Sequence, residues 1–332
     1  MKTQRTSSAK RGFTLMELMV AMAITTIIVT VLVSVTSIAL DTWNRSRAEL
    51  RAARQGKSMV DSMARDFESL VTRRGNTNEW LSAIASPTAD LPKVKSTTSS
   101  NACELIFFTA ATDRYNGQIG DPAFDKGGDV SCAAYVLEGK DPIAGGSGKF
   151  DTFVLNRLLV NPDDTFKQLL GEPDLAAAYK GNPKYAVVSK NWRPVLEDSS
   201  NFVCENIYQF SLTFHVQVAK VDTSATPPTT TLIDVPVTVG QTASGQVATK
   251  FKIQGSGLDT DTRTTLATSA EIKAGRLTAV EIAVTVISDF GIDQIRQRGF
   301  VATPGKTVDQ VKAEFFAKNS YQYTKLVQVP SM

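Results

Sequence analysis

The sequence predicts an α+β protein in which one long N-terminal helix packs on an antiparallel β-sheet headpiece. Three observations carry that expectation. Residues 13–40 form an apolar run with neither Gly nor Pro; residues 41–75 turn polar, with apolar side chains returning at helical intervals; and residues 76–332 switch to short β-branched and aromatic runs separated by Gly-, Asp- and Pro-rich segments. A basic segment, residues 1–12, precedes them. Of 332 residues, 42% are hydrophobic and 21% charged, enough to bury one or two substantial cores. The 36 basic and 33 acidic residues leave a net charge of +3, without the positive field that marks nucleic-acid binding. Where bases cluster, they flank the apolar run: Lys2, Arg5, Lys10 and Arg11 before it, Arg45, Arg47, Arg51 and Arg54 after it. That placement fits a membrane segment.

As a helix the apolar run extends about 40 Å at 1.5 Å per residue, more than the roughly 30 Å of a bilayer's hydrocarbon core. A secretory signal peptide would end in a small-x-small site, which Ser37-Ile38-Ala39 supplies, but its apolar region would be far shorter. A plain uncleaved anchor accounts for the length and the flanks, and leaves Glu17 without a reason. A carboxylate inside a bilayer costs on the order of 2.5–3.5 kcal/mol, so Glu17 needs a compensating charge. Cleavage after Gly12 would create one, the new amino group of Phe13, four residues from Glu17 and on the same helix face.

The run Lys10-Arg11-Gly12-Phe13-Thr14-Leu15-Met16-Glu17-Leu18 resembles the type III leader of type IV pilins and pseudopilins. The resemblance implies a pilin-like fold, cutting between Gly12 and Phe13 by a prepilin peptidase, N-methylation of Phe13, and pairing of Glu17 with a neighbour's terminus during assembly. It also implies an assembly ATPase and a platform membrane protein as indirect partners, beside other pilin or pseudopilin subunits. The expected location is the inner membrane, single-pass with the headpiece extracytoplasmic, and then a pilus or pseudopilus. Ser34 stands where many major pilins carry a helix-kinking proline, which removes one reason for a bend.

Beyond Leu40, the residues Trp43, Leu50, Ala53, Val60, Met63, Phe67, Leu70 and Val71 form one helical stripe, opposite Arg45, Glu49, Lys57, Asp61, Arg65 and Glu68. Gly56 reads as a weak point costing about 1 kcal/mol relative to Ala. Arg73-Arg74-Gly75-Asn76 reads as the C-terminus, giving one helix from Leu15 to Thr72 of roughly 85 Å. Candidate strands follow at Cys103–Thr109, Val130–Leu137, Thr152–Val160, Phe202–Val218 and Leu277–Ile287, the first of them suggesting a meander that receives the helix. The Thr- and Pro-rich stretch Val221–Leu232 reads as a loop or edge insertion, or else as a linker between two lobes. This order is similar to that of J-type minor pseudopilins of type II secretion. Val286-Ile287-Ser288-Asp289 and the tail Tyr321–Pro330 are similar to a pilin-like family, cassette protein C of the Verruco-Chthonio cassette.

Catalytic signatures are missing from the sequence: no G-x-S-x-G, no P-loop and no dinucleotide fingerprint. His215, the single histidine, reads as a strand residue rather than a metal ligand. Cys103, Cys132 and Cys204 have no C-x-x-C spacing and read as small buried residues, with one disulfide left open. Asp113, Asp121, Asp125 and Asp129 share a loop that could gather carboxylates around calcium as in some pseudopilins, although the spacing fails the EF-hand pattern. The reading is therefore a structural subunit without cofactors, a minor pilin or pseudopilin of the tip or of low copy number, because a headpiece of this bulk hinders helical stacking. The rival is a membrane-tethered exported binding domain or enzyme that does not polymerise.

Overall fold

The computed structural model describes residues 14–86, 91, 94, 103–110, 129–144, 148–181, 190–222 and 229–330. The chain divides into two units, Met1–Glu49 and Leu50–Met332, with helix α1 (Leu15–Glu68) contributing to each.

In the first unit every residue from Leu15 to Arg47 is exposed. This part of α1 is long and apolar enough to cross a membrane. In the second unit α1 becomes amphipathic, with Ala52, Gly56, Met59, Val60, Met63, Ala64, Asp66 and Phe67 buried. The expected stripe thus starts later than predicted: Trp43 and Leu50 are 68% and 59% exposed, whereas Val60, Met63, Phe67 and Leu70 are buried. Gly56 is a contact point rather than a weak point. A Cβ there would lie 2.5 Å from Cδ2 of Tyr323 and 3.0 Å from Cγ2 of Val286, so the helix approaches those side chains as closely as it does because no side chain intervenes.

The helix stops at Glu68, four residues before the predicted end at Thr72. Ser69 and Val71 are already hydrogen-bonded to the end of the second strand, Ala110 N donating to Ser69 O and Val71 N to Phe108 O. Tertiary pairing overrides the helix propensity of those residues. Gly75, expected just beyond the helix, has a left-handed backbone (φ 87°) but lies seven residues past the helix end and does not cap it.

Two sheets follow. The first contains β1 (Glu79–Ala85), β2 (Cys103–Thr109), β3 (Ser131–Lys140), β4 (Thr152–Val160), β5 (Phe202–Glu205), β9 (Lys250–Gln254) and β10 (Gly257–Thr260), in the order β10-β9-β1-β2-β3-β4-β5. Strands β2 to β4 are the expected meander, with β2 and β4 at their predicted bounds and β3 running three residues past Leu137; β1 and β5 extend it on either side. The second sheet has the order β12-β11-β6-β7-β8, from β6 (Ile207–Asp222), β7 (Thr229–Val239), β8 (Val247–Ala248), β11 (Arg276–Ile287) and β12 (Ser320–Gln328). All pairings are antiparallel except the two-residue contact of β7 with β8. Short helices α2 (Pro162–Gln168), α3 (Leu175–Tyr179), α4 (Arg193–Leu196) and α5 (Ser269–Ala274) connect strands, and α6 (Asp289–Arg298) and α7 (Val308–Asn319) lie between β11 and β12.

The predicted single strand Phe202–Val218 is two strands in different sheets. Asn206 separates them with a left-handed backbone (φ 64°), a conformation Asn tolerates better than most residues. Its side chain accepts from Thr152 Oγ1 (2.6 Å) and donates to Asp289 Oδ1 (2.8 Å), which fixes the crossing. Residues 223–228 of the Thr- and Pro-rich stretch lie outside the described residues; its flanks pair across β6 and β7, Val221 with Thr230 and Asp222 with Thr229, and residues 50–332 form one compact unit.

The sheets face each other through ring contacts, Phe214 of β6 stacking on Phe251 of β9 at 4.0 Å and Phe153 of β4 meeting the edge of Tyr208 of β6 at 5.3 Å. The C-terminal turns of α1 touch both sheets, Phe67 stacking on Phe107 of β2 at 4.6 Å while Gly56 meets Tyr323 of β12.

Candidate functional site

Gly12 and Phe13 lie outside the described residues, and Glu17 lies within them. Glu17 is the third residue of α1, behind Thr14 as the capping residue. Thr14 N and Oγ1 donate to Glu17 Oε2 at 2.9 and 3.0 Å, and Glu17 N donates to Thr14 Oγ1 at 3.3 Å. This is a reciprocal capping box, and its carboxylate sits at the positive end of the helix dipole. The signal was present in the sequence, Thr followed three residues later by Glu before an apolar run, and the reading of Glu17 as a partner for the Phe13 amine overlooked it. The two roles are compatible, because Oε1 is not used by Thr14.

Five threonine hydroxyls of the exposed part of α1 are satisfied within the helix. Thr25, Thr26, Thr30, Thr36 and Thr42 each donate to the carbonyl four residues earlier, at 2.7–2.8 Å. They present methyl groups outward and place no free donor in an apolar medium. Glu17 is the one ionisable side chain between Leu15 and Leu40.

A second charged centre, which sequence reasoning missed, holds the buried end of α1. Asp66 is fully buried. Arg157 of β4 donates to it through Nε (2.8 Å to Oδ2) and a terminal nitrogen (2.9 Å to Oδ1), and Tyr135 of β3 donates its hydroxyl to Oδ2. Burial pushes the Tyr135 phenol far up and the Asp66 carboxylate adds to this, so Tyr135 stays protonated as a donor. Thr109 Oγ1 also donates to the backbone carbonyl of Asp66, at 3.0 Å. The bidentate geometry fixes orientation as well as charge. Nothing in the sequence separates Asp66 from the solvated charges beside it, Arg65 and Glu68.

Asp113, Asp121 and Asp125 lie outside the described residues, and Asp129 is exposed. Among the described residues no group of His, Cys, Asp and Glu is placed to hold a metal ion. His215 Nδ1 lies 2.8 Å from Asp234 Oδ2 across β6 and β7, as a hydrogen-bonded strand residue. Cys132 and Cys204 are free and buried; burial pushes both thiols up, that of Cys204 to about 12. The side chain of Cys103 is outside the described set.

The N-terminal features decide the comparison with known proteins. Residues 7–33 match the family described as Prokaryotic N-terminal methylation motif, across Gly12, Phe13 and Glu17 and into the exposed apolar helix. The N-terminus thus carries a prokaryotic N-terminal methylation motif. No curated protein is significantly similar to it over its length. Among solved structures, a type IV-like pilin from Thermus thermophilus aligns with 84% of this chain and 97% of its own at 9% identity, with a TM-score of 0.27. That superposition is too loose to carry a comparison of topology.

Proposed function

We propose that this chain is a minor pilin or pseudopilin, a structural subunit of a type IV pilus-like or type II secretion filament. The observation that carries the reading is Glu17, alone among ionisable side chains in an apolar helix that is exposed along its length and lies within a prepilin methylation motif. An isolated domain would bury that helix or lack the acid; a filament subunit needs both, the apolar surface for lipid and then for neighbouring helices, the carboxylate for a neighbour's amine. Residues 1–12 are the leader, residues 13–40 the membrane and assembly segment, residues 41–75 the remainder of the spine, and residues 76–332 the headpiece. A prepilin peptidase cuts between Gly12 and Phe13, and Phe13 is then methylated. The headpiece faces away from the cytoplasm, since the leader carries Lys2, Arg5, Lys10 and Arg11. Its bulk favours a low-copy position at a filament end.

The test begins with the intact mass of the chain from membranes of a cell that has a prepilin peptidase. A start at N-methylated Phe13 supports the reading; a start at Leu40 or an intact Met1 overturns it. Glu17→Ala is the companion variant. It is expected to stay in the membrane, with insertion eased by roughly 2.5–3.5 kcal/mol, and to be lost from sheared filaments. Undiminished assembly of that variant would remove Glu17 from its assigned role.

A further inference from the structure

A cleft of about 560 Å³ opens in residues 50–332 where β5 ends, α6 begins and the segment after β3 passes. The size lies within the range of roughly 300–1,000 Å³ typical of sites that enclose an organic group. One wall is apolar and open to solvent: Ile143, Phe150 and Phe202 are 79%, 48% and 39% exposed. The opposite wall is a preset polar lattice. Arg51 reaches Glu205 Oε1 (3.0 Å) and Asp289 Oδ2 (3.3 Å), while Arg296 donates to Asp293 Oδ1 (2.9 Å). Among the lining residues Glu205, Asp289 and Asp293 against Arg51 and Arg296 leave one negative charge in excess, with the Lys149 ammonium 5.7 Å from the Phe150 ring on the apolar side, and Asp293 is the most exposed of the three acids.

The same chain carries a helix face of complementary character. On α1, Leu40 and Trp43 are 58% and 68% exposed, three residues apart on one face, and Arg47 follows Trp43 by four. Arg47 is exposed and has no ion-pair partner among the described residues, whereas nearby Arg45 is paired with Glu49. A large aromatic followed by a free cation matches a cleft with two phenyl rings on one side and surplus negative charge on the other.

We propose that this cleft receives the Leu40–Trp43–Arg47 face of α1 from a second copy of the chain, with Trp43 entering between Phe150 and Phe202 and Arg47 meeting Asp293. The proposal rests on the filament reading and adds a specific contact to it. A patch that fits a pocket elsewhere on the same molecule makes a heterologous contact, which repeats in one direction and does not close on itself.

The experiment places the photo-crosslinker benzoylphenylalanine at position 43 of the full-length chain, in membranes of a cell with a prepilin peptidase and assembly ATPase. The expected product is a homodimer whose crosslinked peptides contain Phe150 or Phe202. Arg47→Glu is expected to cut its yield by about tenfold, equivalent to about 1.4 kcal/mol, and Asp293→Arg in the same chain to restore it. Rescue by charge exchange separates contact from mere damage to the fold. Adducts with lipid alone, with a different protein, or with another face of the copy overturn the proposal. The mass of the N-terminus in the same sample reports on the filament reading separately: methylated Phe13 without the homodimer sinks the docking contact alone.

Discussion

Residues 15–49 and 50–68 of α1 belong to one helix and leave water by opposite means. In the first stretch nothing is buried, and polar groups are satisfied locally, Glu17 by Thr14 and each bonded threonine hydroxyl by the carbonyl four residues back. In the second, Phe67, Met63 and Met59 are buried against the headpiece, and the buried charge of Asp66 is satisfied by residues 69 and 91 positions away in sequence, Tyr135 and Arg157. A segment that must change its surroundings keeps its hydrogen bonds within itself. A segment fixed in one core delegates them to its partners, and this difference sets what each substitution does.

The largest expected effect is at Arg157. Arg157→Ala leaves Asp66 without its bidentate partner in the interior and is expected to destabilise the headpiece by about 3–5 kcal/mol in chemical denaturation, with membrane insertion unchanged. A loss under about 1 kcal/mol would mean that water reaches Asp66 and that the buried half is not held as described.

Gly56→Ala comes next. The alanine gains about 1 kcal/mol of helix propensity, but its Cβ meets the Tyr323 ring at 2.5 Å, and overpacking of this kind costs about 1–3 kcal/mol. A net drop in melting temperature is expected, relieved when Tyr323→Ala is added. A rise would return Gly56 to the weak point that its sequence context suggests.

Asp261 tests the headpiece by pH. Burial pushes its carboxyl up, but the hydroxyl and amide of Thr249 and the amide of Lys250 outweigh this and hold it below the usual aspartate range. A group depressed in the folded state contributes stability above its unfolded value, about 3.9, and loses it as pH falls through the folded value. Asp261→Asn is therefore expected to be less stable than the parent at pH 7 and to converge on it below that window. Parallel stability curves down to pH 2 would refute the assignment.

The smallest effect belongs to the exposed half. Thr30→Val removes a hydroxyl whose only described bond is to Thr26 O in its own helix, and is expected to change headpiece stability by less than about 0.5 kcal/mol. A larger change, read by the same denaturation series, would mean that the apolar half is coupled to the headpiece.

Much of this chain was readable because its signals are local. Gly12, Phe13 and Glu17 lie within six consecutive residues, the apolar run is long enough to cross a bilayer, and β2 and β4 are β-branched and aromatic runs. The strands β7 and β12 escaped the reading because their exposed faces dilute the apolar pattern, as in β12, where Val327 alone is buried; β1 and β9 escaped it because they are short and carry charged residues, Glu79, Lys250 and Lys252. Sequence by itself determined the N-terminal processing motif, the membrane-length helix and the α+β class, since each depends on near neighbours in the chain. Tertiary structure alone decided that Asn206 carries the chain from one sheet to the other, that Gly56 is a contact, and that Asp66 is a buried anchor among solvated charges. Those three depend on partners far along the chain, whose arrival no local period records.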